Sequence, residues 1–396
     1  MSSKTVFKKK SSLSPRYVPA FLPHRQTHLK MLRNLFSDFL ERPKECCEKV
    51  VQLYGPTGSG KSCTAIRFGV DFELEAKAKG IPLKFVHVNS KLGVDSTYAL
   101  YQTILQKISP ESAGRGYSPS EMLRQIVFHL KRAGEYLLLA VDDADYLVRV
   151  LKEKRGESGV IFDLTRLNEM FLGEPQHVVG VIFIAKDSSF RNLLDPAEVS
   201  SLGSVILRMP SYTSEQLAEI LMGRAEEAFR PGAVSWEVVE FTADLSAGKS
   251  YNPGDCRFAL DILLTAGLIA DSQWCDHVTL DHVRMAASEW FDGISTEDLA
   301  SLDTHETLVL LAAAKALDAL KTPYVSTKEV HEYYMAECED RNLKPVSYDK
   351  VKEHVETLHC MGLLNRTPKG VCIVGASVKD LSRVLATMQK SEQIGW

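Results

Sequence analysis

The chain has 396 residues, 45% of them apolar and 25% charged, which is enough for two or three domains with ordinary buried cores. No apolar run approaches the ~18 residues of a membrane span, and the eight cysteines are scattered without zinc-finger spacing, which argues against a membrane protein, a disulfide scaffold and a zinc finger. A formal net charge of −4 gives no overall case for nucleic-acid binding, yet Lys4, Lys8, Lys9, Lys10, Arg16, Arg25, Lys30 and Arg33 all precede the first acid, Asp38.

Residues 1–15, rich in Ser and Lys, are expected to form a basic, disordered arm. The proline-punctuated run Tyr17-Val-Pro-Ala-Phe-Leu-Pro-His-Arg25 reads as extended, and helical periodicity follows over 26–41. Lys49–Tyr54 is β-branched and aromatic, and predicts a strand. It runs into Gly55, Pro56, Thr57, Gly58, Ser59, Gly60, Lys61 and Ser62, the G-x-x-x-x-G-K-S spacing whose backbone N–H groups cradle nucleotide phosphates. Lys61 is then expected on the β/γ-phosphates and Ser62 on Mg²⁺, with Cys63 opening a helix over about 62–77.

Strands at 83–88, 136–141 and 178–185, interleaved with helices near 98–108, 120–131 and 162–171, predict a parallel α/β sheet covered on both faces. The second of these strands, with Leu137–Val141, ends in Asp142 and Asp143. This is the form of a Walker B element, with Asp142 in the Mg²⁺ shell and Asp143 polarising water. From Ser214 the pattern turns helical, with segments near 214–229, 235–245, 254–270 and 279–290. Beyond about 296 come short helices and two β-runs around Thr367-Pro-Lys-Gly370, a pattern that suits a winged helix-turn-helix.

The helix 348–361 is predicted to bury Val351, Val355, Leu358 and Met361 and to offer Tyr348, Lys350, Lys352 and His354 on its other face. Arg366 and Lys369 would lie on the wing, so that Lys350, Lys352, Arg366 and Lys369 form the candidate DNA-binding set.

These motifs are joined by Leu22-Pro-His-Arg25, Val88-Asn-Ser90, Asp163-Leu-Thr-Arg-Leu-Asn-Glu169, Leu194-Asp-Pro196, Pro210-Ser-Tyr212, Gly223-Arg224-Ala225 and Gly254-Asp-Cys-Arg257. In order and spacing the chain resembles the archaeal replication initiators, the family uniting origin-recognition and helicase-loading roles. The resemblance implies an AAA+ core (16–210), a helical lid (211–295) and a winged-helix DNA-binding domain (296–396). It implies ATP or ADP with Mg²⁺ as ligands, and it places Tyr212, Arg224 and the lid arginine Arg257 at the nucleotide. The implied partners are double-stranded origin DNA, the replicative helicase and other initiator subunits, in a cytoplasmic, nucleoid-associated setting. A helical insertion within about 91–116 would add Lys91, Lys107 and Arg115 as DNA contacts.

Three departures stand out. Asp143 stands where the family usually has Glu, Lys186 where the first sensor is usually Asn, and Ala197 where an arginine follows Asp-Pro. The expectation is therefore tight nucleotide binding with weak ATPase activity at most. The alternative is a nucleotide-binding DNA regulator that loads nothing.

Overall fold

The computed structural model describes residues 5–112, 116–156, 159–171, 175–248, 252–288 and 294–394. The chain divides into two compact units: Val18–Tyr212 with Ser250–Cys256, and Met1–Tyr17 with Thr213–Lys249 and Arg257–Trp396.

The first unit is built on a five-stranded parallel sheet of β1 (Lys49–Tyr54), β2 (Leu83–Asn89), β3 (Tyr136–Asp142), β4 (Val178–Ala185) and β5 (Ile206–Arg208), in the order β2-β3-β4-β1-β5. Every residue of β3 and β4 is buried, as expected of apolar strands covered on both faces. On one face Leu32, Phe36 and Phe39 of the helix Gln26–Glu41 pack with Phe68 and Phe72 of the helix Lys61–Ala78. The other face carries the helices Thr97–Ile108 and Pro119–Ala133, which bury Leu100, Ile104, Met122 and Ile126. This sandwich fixes the C-terminal strand ends, where ligands of open parallel sheets bind.

In the second unit the helices Ser214–Ala228, Trp236–Ala247, Cys256–Ser272 and Leu280–Ala287 form the lid; the first residue of the third, Cys256, belongs to the sheet unit. The winged helix follows, with Thr304–Leu320, Thr327–Asp340 and Tyr348–Cys360, then the hairpin β6 (Asn365–Thr367) and β7 (Gly370–Cys372) and the helix Val378–Ile394. The first of these helices has 17 residues, longer than the short segments expected from sequence, because Leu308–Ala314 is buried on every face and forms the centre of that core.

The expected disordered arm is corrected over its described part, 5–15. Val6, Phe7 and Leu13 are buried, Phe7 stacks on Phe229 at 4.7 Å, and the Val6 N–H donates to Asp271 at 2.6 Å. Three apolar side chains among the lysines have a lid surface to bury against, and that outweighs the charged composition. Among the described residues no helix is long and apolar enough to cross a membrane.

Candidate nucleotide site and winged-helix surface

β1 stands beside β4 with Tyr54 level with Ala185, and the Gly55 N–H donates to the Lys186 carbonyl at 3.1 Å, so the loop starts from the tip of the sheet. Gly58 and Gly60 hold φ of +74° and +85°; a Cβ on the first would collide with Asp255 and one on the second would lie 2.5 Å from the Tyr212 hydroxyl. Gly60 is then the N-cap of the helix Lys61–Ala78. That helix has no side-chain cap and no acid in its first turn, whereas Ser118, Asp195 and Thr213 each close a capping box on their own helices. A helix start with bare N–H groups suits an anion.

Lys61 folds back, its Nζ donating to the Gly55 and Pro56 carbonyls at 2.7 and 2.8 Å. The Ser59 hydroxyl donates to the same Pro56 carbonyl at 2.8 Å, and Cys63 lies half-buried in the first helical turn. Asp142, at the end of β3, is buried; that burial alone would raise its carboxyl, but hydrogen bonds from His87 and Ser62 hold it below the usual carboxylate range. The two residues expected to share Mg²⁺, Ser62 and Asp142, are therefore near enough for one to act on the other's charge.

Asp143 turns the chain out of β3 with φ of +56°, a left-handed conformation that a short polar side chain tolerates, and its carboxylate takes the Lys91 ammonium at 2.7 Å. Lys91 is thus drawn to the Walker B acid, and Lys107 donates to the His87 carbonyl at 2.6 Å, so both expected insertion contacts have partners within the core. Arg115 lies outside the described residues.

Sequence reasoning missed the residues that brace the loop. Asn252 donates to the Thr57 carbonyl at 3.2 Å and to Asp255 at 2.7 Å, and the Cys256 N–H lies 3.3 Å from the Gly58 carbonyl. The turn signal Asn252-Pro-Gly-Asp255 was visible, but its target was not. Arg25, 3% exposed, donates Nε and one terminal nitrogen to the Ser59 carbonyl at 3.0 and 2.8 Å, and its guanidinium lies 3.9 Å from the centre of the Tyr212 ring. Desolvation pushes the Tyr212 phenol well above its ordinary value.

Arg224, expected at the nucleotide, has its partners within its own unit. It donates to the Ser12 and Tyr17 carbonyls, both at 3.1 Å, and stacks over Tyr17, so in the second unit it anchors the N-terminal segment to the lid. Arg257, exposed, follows Cys256 as the first residue of that unit's part of the helix.

On the winged helix, each member of the expected DNA set pairs with a carboxylate: Lys350 with Glu353 at 2.6 Å, Lys352 with Asp349 at 3.2 Å and Arg366 with Glu356 at 2.7 Å. Lys369 reaches from the wing turn to the lid helix Trp236–Ala247, 2.8 Å from Glu240 and 2.7 Å from Asp244. Asp244 also accepts from Tyr324 at 2.8 Å and from Ser214. The expected helix faces need one correction: His354 is buried and Met361 exposed, because the core stripe is Val351, His354, Val355 and Leu358 and the helix ends at Cys360.

Residues 48–194 match the AAA domain, 218–288 the Cdc6 AAA+ ATPase-type lid domain, and 297–371 the CDC6 C-terminal winged helix domain. The chain is 31% identical over 361 residues to "ORC1-type DNA replication protein 1" of Aeropyrum pernix, covering 91% of this chain and 87% of that one. It is 30% identical over 372 residues to "ORC1-type DNA replication protein 2" of Saccharolobus solfataricus, covering 93% and 88%. The chain belongs to the archaeal Orc1/Cdc6 family of replication initiators. Among solved Orc1/Cdc6 structures, Cdc6p of Pyrobaculum aerophilum superposes with a TM-score of 0.80 at 27% identity, covering 98% of this chain and 99% of that one. The Aeropyrum pernix ORC1 protein in complex with DNA gives 0.63 at 29% identity, covering both chains in full.

The three departures from the Orc1/Cdc6 pattern are now located. Asp143 holds Lys91. Lys186 is exposed beside Gly55, with Asp187 turned to accept from the Ser189 N–H at 2.7 Å. Ala197 is exposed in the first turn of the short helix Pro196–Leu202, capped by Asp195 and Glu198.

Proposed function

We propose that this Orc1/Cdc6 protein is a nucleotide switch that binds ATP or ADP with Mg²⁺, binds duplex DNA at replication origins and helps recruit the replicative helicase. The observation that carries the nucleotide reading is the glycine loop that ends in a helix N-terminus with no cap of its own, with Lys61 folded over it and Asp142 buried at the end of β3. The N–H groups of residues 58–62 would take the phosphates, Lys61 would swing from the Gly55 and Pro56 carbonyls onto them, and Ser62 and Asp142 would hold the metal. Bound Mg²⁺ supplies charge neutralisation at the phosphates. Hydrolysis needs a carboxylate free to orient water; Asp143 is short and occupied by Lys91, and Ala197 has no guanidinium to offer a neighbouring site. Retention is accordingly the purpose of this site, with turnover slow.

The likeness to an ORC1 structure solved with DNA supports duplex binding through the winged helix. Purified protein should shift origin duplex with a steep salt dependence, and a helicase-recruitment assay on that DNA separates a loader from a regulator. One observation favours the regulator as a second reading: Asp143, Lys186 and Ala197 depart together from the family pattern, and Asp143 is occupied by Lys91.

A further inference from the structure

Arg25 is a buried cation whose four hydrogen bonds go to backbone carbonyls: two to Ser59, one to Pro210 at 2.9 Å and one to His24 at 3.1 Å. Tyr212 is its remaining partner, and no carboxylate among the described residues pairs with it. Burying an unneutralised guanidinium is costly, and four of its five N–H groups are used, with Nε and one terminal nitrogen converging on a single oxygen of the phosphate loop. In a trans peptide the carbonyl and the following N–H point in opposite directions. Fixing the Ser59 carbonyl on the arginine therefore turns the Gly60 N–H away from it. Gly60 is the N-cap of the loop's helix at φ of +85°, and without a Cβ it offers no steric barrier of its own to a flip of this peptide.

We propose that Arg25 is a positioning residue of the nucleotide site: it clamps the Ser59–Gly60 peptide so that the Gly60 N–H is presented to a phosphate before the nucleotide arrives. Tyr212 is the seat on which the guanidinium is stacked, which gives that tyrosine its place beside the loop without a direct bond to the ligand. The inference rests on the nucleotide reading above. Within the Leu22-Pro-His-Arg25 segment, Arg25 acts through one peptide of the loop.

The test is binding of a fluorescent ADP to the full chain, with the ¹⁵N-glycine amide spectrum recorded before and after ADP. Wild type should bind and shift the Gly60 amide. Arg25→Gln should bind about 10- to 100-fold more weakly, the loss expected for a charge-assisted hydrogen-bond pair, and its Gly60 amide should be displaced already without ligand. Arg25→Lys keeps the charge without the fork and should recover only part of the affinity. If Arg25→Gln does not fold, as circular dichroism would reveal, Arg25→Lys decides by the same two readouts. Wild-type affinity with an unmoved Gly60 amide in the folded variant overturns the positioning role. Failure of wild type itself to bind ADP overturns the nucleotide reading and this inference with it.

Discussion

Arg25, beside the phosphate loop, is buried and bonded to carbonyls and a tyrosine, whereas Lys350, Lys352, Arg366 and Lys369 on the winged helix lie on the surface and each holds a carboxylate. The two arrangements solve different problems. A small anion needs groups held in place before it arrives, and the backbone of a braced loop provides them. A DNA backbone offers many phosphates, so its cations can wait in exposed ion pairs worth roughly 0 to 1 kcal/mol each and exchange partners on contact. Lys369 is the exception, because Asp244, at 13% side-chain exposure, is also fixed by Tyr324 and Ser214. Lys369 is held by more partners than Lys350, Lys352 or Arg366.

The largest expected effect is at the loop. Lys61→Ala should reduce ADP affinity by about 100-fold or more, since it deletes the charge that meets the phosphates, and calorimetric ADP binding checks this. Undiminished binding would erase the distinction between the two regions.

Next in size is the base of the same strand. Glu48 precedes β1; burial pushes its carboxyl up to about 8 despite the Asn168 hydrogen bond, with Glu169 adding to the rise. The folded state thus binds a proton that the unfolded chain has released above its ordinary carboxylate pKa. The sign follows: stability falls as pH rises from about 4.5 to 8, and Glu48→Gln should remove that fall and stabilise the protein by about 2 kcal/mol at pH 9. Thermal unfolding of both proteins between pH 5 and 9 reads it, and parallel curves would contradict it.

At the winged helix, Lys350→Ala and Lys352→Ala should each weaken origin-duplex binding about 3-fold and lower the salt slope by about 1, as for phosphate contacts. Fluorescence anisotropy over a salt series distinguishes this from a protein-binding surface, for which neither quantity would move. Asp244→Asn should have the smallest effect and the opposite sign. By loosening Lys369 from the lid it should tighten duplex binding about 2-fold, and weaker binding would mean that the lid contact positions the wing for DNA.

The sheet was legible in sequence because its strands are short apolar runs between clear breakers. Val178–Ala185 coincides with its predicted bounds, and Gln26–Glu41 with its periodicity. The edge strand Ile206–Arg208 was not legible; two half-buried residues and one exposed carry no period. The phosphate loop and the Walker B acids were readable because their chemistry fixes their spacing. Lys91, Asn252 and Arg25 were hidden because each reaches its loop or acid from a distant part of the chain, and nothing local marks the partner. The partners of Arg224 were hidden for the same reason: its motif names the residue, but the N-terminal segment that it binds reads as a solvated tail.

The central claim is that the loop retains nucleotide rather than turning it over. The most direct measurement quantifies nucleotide released by denaturing the purified protein, alongside single-turnover hydrolysis of added ATP. The account predicts close to one bound ADP or ATP per chain and hydrolysis far slower than nucleotide binding. A protein that carries no nucleotide and binds none when it is supplied, or one that turns ATP over rapidly, would contradict it.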